Sequence, residues 1–458
     1  MSRLNDIALS HFDRAYFIGV GGIGMSALAR YFVAQGWKVA GYDKTPSPLT
    51  DQLVQEGVAI HFNDLGAAVP SEFKTSTTLV IYTPAIPANH GELNYFKAQN
   101  AVVLKRSEVL GLITRQSKGL GVAGTHGKTT TSSMLAHILN ESHLGCNAFL
   151  GGIASNFESN LVLHPTSEYT VVEADEFDRS FLQLSPFASI VTSNDPDHLD
   201  IYGDADYFRE GFRMYSELIH TEGILIQKEG LELRSKCKVK SYAINSESAD
   251  IEGLNLRFSD GRFSMDVRTE EGLWSAIELG IPGIHNAENA LACIGLCQFL
   301  GLTEDEIRNG LKSFLGVKRR FEYKVRTPEL IYIDDYAHHP TEISALVSSV
   351  RLLYPEKKIT GIFQPHLFSR TRDFFDGFVE ELSKLDELIL LPIYPARELP
   401  IEGVTSDALL EKISLSKKQL LNPQEVIDLL AKRESGVILT IGAGDIDRIV
   451  EPLKARLS

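Results

Sequence analysis

Short apolar runs alternate with segments of helical periodicity along most of the chain. The run AYFIGV precedes the helical pattern SALARYFVAQG, and a second apolar run, WKVAGYD, follows it. Apolar residues spaced three and four apart indicate amphipathic helices, whereas short apolar runs between turn residues indicate buried strands. Strands that alternate with helices form parallel sheets with right-handed crossovers. The pattern therefore predicts an α/β protein built on parallel sheets.

Two breaks in this pattern divide the chain. A charged stretch at 105–119 ends the first part, and the stretch at 315–330 ends the second. These breaks predict three domains, at 1–115, 116–325 and 326–458. Within the second domain, residues 223–280 form short alternating segments between turn residues, which predicts antiparallel strands added to the parallel core.

Composition narrows the function and the location. The 458 residues carry a formal net charge of −15, and nucleic-acid binding needs clustered Lys and Arg instead. The N-terminus has no apolar signal segment, and no run approaches the 18 apolar residues of a membrane helix. We expect a cytoplasmic protein with neither nucleic acid nor membrane as a partner. The four cysteines form no CxxC pair, which argues against a zinc or redox motif, and the oligomeric state stays open.

The strongest chemical motif is the glycine-rich segment GTHGKTTT, which begins at Gly124. It lies between an apolar run and a helical pattern, as a phosphate-binding loop does. Backbone N–H groups at the helix N-terminus would face phosphate oxygens, Lys128 would reach the β/γ-phosphates, and the Thr129 hydroxyl would bind Mg²⁺. Val122 stands where the common pattern GxxxxGK[ST] has its first glycine. A glycine-rich turn without a ligand is the alternative.

Two acidic clusters follow apolar runs, at the strand ends where open α/β sheets bind ligands. The first consists of Glu173, Asp175, Glu176 and Asp178, and the second of Asp195, Asp197, His198 and Asp200. Carboxylates suit Mg²⁺, whereas histidine is an unusual ligand for this ion. From the residues alone, His198 is either a loop histidine or a metal ligand.

A second glycine loop follows the first apolar run. Gly19, Gly21, Gly22 and Gly24 fit GxGxxG, and Asp43 ends the next predicted strand. This is the fingerprint of a dinucleotide-binding turn, with the acid placed to bond a ribose hydroxyl. It predicts a nucleotide-diphosphate site without distinguishing NAD from another pyrophosphate-linked nucleotide.

Further polar clusters lie later in the chain, in strand-to-helix contexts. His285, Asn286 and Asn289 open a predicted helix, where polar groups are often only caps. The others are the pair Arg319 and Arg320, the cluster Asp334, Asp335, Tyr336, His338 and His339, and the cluster His366, Arg370 and Arg372. Arg370 and Arg372 are suited to binding a carboxylate. For the Asp/His cluster, substrate positioning is favoured over a metal site.

In their order along nearly the whole chain, these motifs resemble the Mur ligase family. They are GVGGIGM, GTHGKTTT, VVEADEFDRSFL, DHLD, HNAEN, RRFE, DDYAHHP and QPHLFSRTRD. The resemblance implies a Rossmann-like UDP-sugar domain at 1–115, an ATP-binding phosphate-loop domain at 116–325 and a Rossmann-like closing domain at 326–458, with ATP and Mg²⁺ as cofactors. DDYAHHPTEI together with QPH-x-x-x-RTRD is similar to the branch whose substrates are UDP-N-acetylmuramate and L-alanine. Leu367 departs from that branch, which commonly has arginine there.

The resemblance also implies roles for individual residues. It gives ATP binding to Gly124, Thr125, Gly127, Lys128, Thr129, Thr130, His285, Asn286 and Asn289. It gives metal binding to Thr129, Glu173 and His198, and UDP-sugar binding to Gly19, Gly21, Gly22, Gly24 and Asp43. It gives carboxylate or amino-acid contacts to Arg370 and Arg372, and catalytic roles to Lys128, Arg320 and His338, the last as a candidate general base.

The implied reaction is formation of an amide through an acyl phosphate. ATP would phosphorylate the lactyl carboxylate, and the amine of L-alanine would then attack the carbonyl and expel phosphate. A murein tripeptide recycling ligase of the same family is the nearest alternative. An NAD-dependent dehydrogenase has no need of the phosphate loop, and a non-catalytic nucleotide-binding protein would not need the set Lys128, Thr129, Glu173 and His198.

Overall fold

A computed structural model describes residues 7–196, 202, 204–259, 262–396 and 398–458. It contains two compact units. The first comprises Met1–Leu256, Ser264–Gly280 and Glu288–Leu315, and the second comprises Arg257–Phe263, Ile281–Ala287 and Gly316–Ser458. Strands and helices alternate along most of the described chain, so the predicted α/β class is confirmed.

The first sheet is fully parallel and has the order β3-β2-β1-β4-β5. Its strands are β1 (Arg14–Ile18), β2 (Lys38–Tyr42), β3 (Ala59–His61), β4 (Thr78–Tyr82) and β5 (Val102–Lys105). Its helices are α1 (Ile23–Ala34), α2 (Pro48–Gln55), α3 (Gly91–Ala98) and α4 (Arg106–Thr114). Tyr16, Phe17 and Ile18 are all fully buried, because both faces of this sheet are covered. The strand order reverses beside β1, and such a switch point opens a crevice for a ligand.

The second sheet has ten strands in the order β15-β14-β13-β12-β11-β10-β6-β9-β7-β8. They are β6 (Lys118–Ala123), β7 (Asn147–Ala154), β8 (Ser159–Val162), β9 (Tyr169–Ala174), β10 (Pro186–Val191), β11 (Ile224–Lys228), β12 (Lys238–Ile244), β13 (Ile251–Ser259), β14 (Arg262–Thr269) and β15 (Gly272–Leu279). The helices of this region are α5 (Lys128–Asn140), α6 (Ala205–Ser216), α7 (Ile284–Phe299) and α8 (Glu304–Ser313). The central strand β6 leads directly into the glycine-rich segment at Gly124.

Strands β11 to β15, the sheet extension, correspond to the segment that was predicted to be antiparallel. The strands are present, but β11, β12 and β13 each pair in parallel with the preceding strand, so that prediction of direction is wrong for them. Alternation of buried and exposed positions reports which face a side chain occupies and is the same in both orientations. The pattern therefore could not give the direction. An antiparallel pair does form at the other edge, between β7 and β8.

Helix α7 lies directly against the sheet extension. A Cβ atom at Gly295 would lie 2.2 Å from Cδ1 of Ile251 in β13, and one at Gly253 would lie 3.0 Å from Cδ1 of Leu291. Both contacts are with terminal methyl groups, so the two glycines mark where the helix packs closely on the strand.

The third sheet has the order β16-β17-β21-β18-β19-β20, parallel except for β16. Its strands are β16 (Glu322–Arg326), β17 (Leu330–Asp335), β18 (Ile359–Phe363), β19 (Glu387–Leu390), β20 (Lys418–Leu420) and β21 (Gly436–Ile441). Its helices are α9 (Pro340–Leu353), α10 (Phe368–Asp373), α11 (Phe375–Leu382), α12 (Ser406–Lys412), α13 (Pro423–Leu430) and α14 (Asp447–Leu457). Short 3-10 helices elsewhere span Leu9–His11, Gly66–Ala68, Ser71–Phe73 and Phe177–Gln183. Within the described ranges, no helix has the length and apolar character needed to cross a membrane.

Candidate functional site

The glycine-rich loop connects β6 to the N-terminus of α5. Gly124 and Gly127 have φ angles of +144° and +81°, which residues with a side chain rarely adopt. Thr125 fastens the loop, since its hydroxyl donates to the Asp195 carbonyl at 2.7 Å. Val122 is fully buried within β6, which explains the departure from GxxxxGK[ST]: the turn begins only at Gly124. The result is a tight loop with a helix N-terminus behind it, a geometry that binds phosphate.

Lys128 is held inside this loop. Its ammonium group donates to the carbonyl oxygens of Gly124 at 2.5 Å and Thr125 at 3.2 Å, and it lies 2.8–2.9 Å from both carboxylate oxygens of Glu176. Only 13% of the lysine side chain and 2% of the glutamate side chain are exposed. The acidic segment thus supplies the counter-charge of Lys128, a pairing that the spacing of the residues did not predict.

Burial and charge oppose each other in this pair. Burial would lower the pKa of Lys128, but the carboxylates of Glu176, Asp175 and Glu173 outweigh it, so the pKa is raised and the lysine stays charged. Burial raises the pKa of Glu176 to about 7, with Lys128 opposing this shift. A buried cation surrounded by acids is a site that can exchange a carboxylate for a phosphate.

Glu173 lies at the end of β9, next to β6. Its Oε2 atom is buried and has no hydrogen-bond partner among the described residues, and Thr129 is in the first turn of α5. Both groups offer oxygen ligands of the kind that Mg²⁺ takes. Among the residues that the structure describes, no group of three or more His, Cys, Asp or Glu side chains could hold a metal ion, which includes Asp334, Asp335 and His338. His198 lies outside the described residues.

The acidic segment is also anchored to the first sheet. Arg106 donates to Asp175 at 3.1 Å, and Lys105 donates to Asp178 at 2.6 Å. Both cations lie where β5 meets α4. A cavity of about 100 Å³ is lined by Gly24, Arg106, Glu173 and Asp175, among others. The structure thus brings the second glycine loop and the acid at the end of β9 to one cavity.

The second glycine loop is held by the acid that was predicted to bind ribose. Gly19 has a φ angle of +92°, and the Asp43 carboxylate accepts hydrogen bonds from the amides of Gly21 at 2.7 Å and Thr45 at 3.2 Å. Gly22 precedes the first residue of α1, so a helix N-terminus faces this turn as well. The ribose contact of Asp43 stays a prediction, and the structure adds that this residue shapes the loop.

The HNAEN segment opens α7. Asn289 belongs to the first unit, and a Cβ atom at Gly127 would lie 3.0 Å from its Oδ1 atom, so the asparagine lies beside the phosphate loop. His285 and Asn286 belong to the second unit. The Asn286 amide donates to the Pro282 carbonyl at 2.6 Å, a local contact typical of a cap. Burial, reinforced by Arg320, lowers the pKa of His285 to about 4, so this ring is neutral.

Arg319 and Arg320 both lie against the Tyr336 ring, 5.1 Å and 5.0 Å from its centre, but their other partners in the second unit differ. Arg319 donates to the buried Asp334 at 3.2 Å and to the Gly442 carbonyl at 2.7 Å, which makes it part of the scaffold. Arg320 lies 3.7 Å from Glu342 and about 5.0 Å from the centre of the Tyr336 ring. Of the pair, Arg320 is therefore the better candidate for contact with a ligand.

His338 lies close to a second histidine. The rings of His338 and His366 are 6.2 Å apart, and burial lowers the pKa of both, that of His366 to about 4, with Arg370 adding to the effect at each. Nδ1 of His338 is 3.0 Å from the Tyr336 carbonyl. A carbonyl can only accept, so Nδ1 carries the proton and Nε2 is left as a basic nitrogen.

The two arginines of α10 diverge. Arg370 acts electrostatically on His338 and His366, whereas the Arg372 side chain is 56% exposed and pairs with its neighbour Asp373. Their spacing of two residues places them on different sides of a helix. Arg370 thus belongs to the histidine cluster, and the structure leaves Arg372 outside it.

Sequence reasoning missed several residues around these sites. Lys105 and Arg106 showed no motif and were read only as a charged domain boundary. Glu398 and Tyr394, described below, lie in a segment without any signal. A signal was available for Glu176, since it follows a strand beside the lysine loop, but spacing does not reveal which acid pairs with the lysine.

Comparison with known proteins agrees with this architecture. The family models match in succession, each over a segment containing one sheet: the Mur ligase family catalytic domain at residues 14–118, the Mur ligase middle domain at 122–297, and the Mur ligase glutamate ligase domain at 319–444. The fold and the phosphate loop thus define a three-domain protein of the nucleotide-dependent ligase class. The chain belongs to the Mur ligase family.

Individual relatives cover nearly all of the chain. The UDP-N-acetylmuramate–L-alanine ligase of Phocaeicola vulgatus is 50% identical over 439 residues, 95% of this chain and 96% of the relative. That of Porphyromonas gingivalis is 50% identical over 450 residues, 97% and 99% of the two chains. The crystal structure of UDP-N-acetylmuramate-alanine ligase from Thermotoga maritima matches with a TM-score of 0.83 at 26% identity, over 97% and 98% of the chains. A murein peptide ligase from Psychrobacter arcticus shares the fold, with a TM-score of 0.72 at 22% identity over 97% of this chain and 98% of the other.

Proposed function

We propose that this protein joins L-alanine to the lactyl carboxylate of UDP-N-acetylmuramate, with hydrolysis of ATP to ADP and phosphate, in the synthesis of peptidoglycan precursors. The observation that carries the proposal is the cavity lined by Gly24, Arg106, Glu173 and Asp175, beside the acidic segment whose Glu176 pairs with Lys128. This arrangement suits transfer of a phosphoryl group to a nucleotide-linked acid. Relatives at 50% identity that bear this activity in their names support the choice of substrates.

In the first step, the γ-phosphoryl group passes from ATP to a carboxylate oxygen, and ADP leaves. Lys128 exchanges Glu176 for the β/γ-phosphates and stabilises their charge, while the loop amides and Asn289 hold the nucleotide. The oxygen atoms of Thr129 and Glu173 fit Mg²⁺, which would neutralise phosphate charge, and His198 completes the proposed set. The Gly19–Gly24 loop and Asp43 hold the UDP-sugar. Positioning and charge stabilisation supply most of the acceleration in such transfers.

In the second step, the amine of L-alanine attacks the acyl carbon, and phosphate leaves from the tetrahedral intermediate. We assign the amine proton to Nε2 of His338, which the Tyr336 carbonyl leaves basic. Arg370 binds the L-alanine carboxylate, and Arg320 stabilises the transferred phosphoryl group. His285 and Asn286 contact the nucleotide. The domain limits 1–115, 116–325 and 326–458 are part of the same proposal.

The test is an assay of phosphate release with ATP, Mg²⁺ and UDP-N-acetylmuramate. L-alanine should support turnover, glycine and L-serine should support less, and omission of any one component should abolish ATP consumption. Lys128→Ala should lower turnover by about 100-fold or more, the scale for loss of one preorganised charge contact. Efficient use of the L-Ala-D-Glu-diaminopimelate tripeptide with L-alanine ignored would assign the chain to a tripeptide ligase. NADH oxidation without ATP would refute the ligase proposal.

A further inference from the structure

Helix α10, which carries Arg370, begins in an unusual way. Its N-terminal flanking residue is Leu367, whose φ angle is +70° and whose side chain provides no capping hydrogen bond. A left-handed φ is costly for a residue with a branched aliphatic side chain. The first amides of a helix also need acceptors from elsewhere. Something outside α10 must therefore hold its start in place.

Glu398 supplies these acceptors. The Ser369 amide donates to Oε2 of Glu398 at 2.9 Å, and the Ser369 hydroxyl donates to Oε1. The Phe368 amide also bonds to this carboxylate, and together these contacts lower the pKa of Glu398 although burial alone would raise it. A carboxylate 29 residues from Ser369 thus caps a helix whose own chain offers no cap, and its charge complements the helix dipole.

Tyr394, four residues before Glu398, holds the preceding turn. The Leu367 amide donates to the Tyr394 carbonyl at 2.9 Å, and the Tyr394 amide donates to the Pro365 carbonyl at 2.8 Å. The ring of Tyr394 stacks on His366, with centroids 5.7 Å apart and planes inclined by 19°. Two side chains of one segment therefore fix both the histidine before Leu367 and the helix after it.

We infer that Glu398 is a positioning residue of the amino-acid site, which aims Arg370 by capping α10. The inference rests on the proposed function, because Arg370 is taken to bind the carboxylate of L-alanine. The observed contacts of Glu398 are with the start of α10, and in the proposed function it contacts neither the nucleotide nor the reacting atoms. Its loss should change the binding of one substrate selectively, since a displacement of about 1 Å at a binding group is enough for a large loss.

The experiment measures KM for each substrate in Glu398→Ala and Glu398→Gln. KM for L-alanine should rise about tenfold or more in Glu398→Ala and less in Glu398→Gln, whose amide oxygen still accepts a hydrogen bond. KM for ATP and for UDP-N-acetylmuramate should stay within about twofold of the wild-type values. The control is Glu402→Ala, at an exposed glutamate four residues further on, in which all three KM values should stay within about twofold. Thermal unfolding of each variant reports whether it is folded.

A double variant identifies the route of the effect. If Glu398 acts through Arg370, Glu398→Ala should add little in the Arg370→Lys background, because coupled residues are not additive. Three results would each overturn the inference, provided that Arg370→Lys alone impairs binding of L-alanine. They are a normal KM for L-alanine in Glu398→Ala, an equal rise in KM for all three substrates, and full additivity of the two substitutions. If Arg370→Lys binds L-alanine normally, the role of Arg370 in the proposed function is wrong, and the inference fails with it.

Discussion

Replacing Glu176 with glutamine should weaken the nucleotide-free protein and tighten its binding of ATP. Glutamine keeps the size of the side chain and removes the charge that faces Lys128. In the proposed mechanism, phosphate oxygens of ATP take the position on Lys128 that the Glu176 carboxylate occupies in the structure. ATP would then displace Glu176, and the free energy of this ion pair would oppose nucleotide binding.

The size of the effect follows from burial. Breaking a buried ion pair by removing one partner costs about 3–5 kcal/mol. The lower end applies here, because the carbonyl oxygens of Gly124 and Thr125 still accept hydrogen bonds from Lys128. Burial raises the pKa of Glu176 to about 7, so the ion pair is fully formed only above that pH, and at pH 8 we expect the free energy of unfolding to fall by about 3 kcal/mol without nucleotide. If the bound state lacks the pair, ATP should bind roughly 100-fold more tightly at that pH, since each 1.4 kcal/mol corresponds to a factor of ten.

Isothermal titration calorimetry gives the Kd for ATP, and urea unfolding with and without ATP gives the stabilities. Asp178→Asn is the matched control, because Asp178 belongs to the same segment but pairs with Lys105. It should leave the affinity for ATP within about twofold, as exposed ion pairs contribute about 0–1 kcal/mol. A Glu176→Gln protein that is less stable and binds ATP no more tightly would show that the pair is structural, and the displacement argument would fail.

Two further predictions concern the second unit. Asp334→Ala should lower its free energy of unfolding by about 3 kcal/mol, because Arg319 would lose its buried partner. Asp373→Ala, at the exposed pair with Arg372, should change the free energy of unfolding far less. Urea unfolding compares the two variants, and equal losses would contradict the role of Asp334 as a buried partner. His285 and His366 are neutral when folded, with pKa values of about 4, and the unfolded chain takes up their protons below about pH 6.5. Stability should therefore fall as the pH drops from 6.5 to 4, by at most roughly 3 kcal/mol per histidine, and a pH-independent free energy of unfolding over that range would refute this.

The sequence was most informative where local chemistry defines local structure. The phosphate loop and the Gly19 turn follow from glycines between a strand and a helix, and both occur as predicted. The direction of β11 to β13 could not follow from alternation, which is the same in either orientation. The spacing of Arg370 and Arg372 allows them to lie on different sides but does not tell which one faces the histidines, and the helical turn of α10 decides for Arg370.

Contacts between segments that are distant in sequence also could not be predicted from the sequence. Glu398 caps a helix that begins 30 residues earlier, and no propensity links the two. Arg106 and Asp175 are 69 residues apart, so their pairing depends on the packing of α4. The roles of such residues can be recognised only from the folded structure, although their contacts help to position the residues of the motifs.

The close approach of α7 to the sheet extension matters to anyone who tries to build a smaller version of this protein. Strands β11 to β15 contain none of the sequence motifs and could therefore be taken for a segment that can be deleted. Yet α7 packs closely on β13 at Gly295 and Gly253, and α7 carries Asn289, which lies beside the phosphate loop. A truncated design without these strands would remove one of the surfaces on which α7 packs, so the position of Asn289 beside the Gly124–Lys128 loop would rest on the remaining contacts of α7, such as that of Cys293 with Thr131.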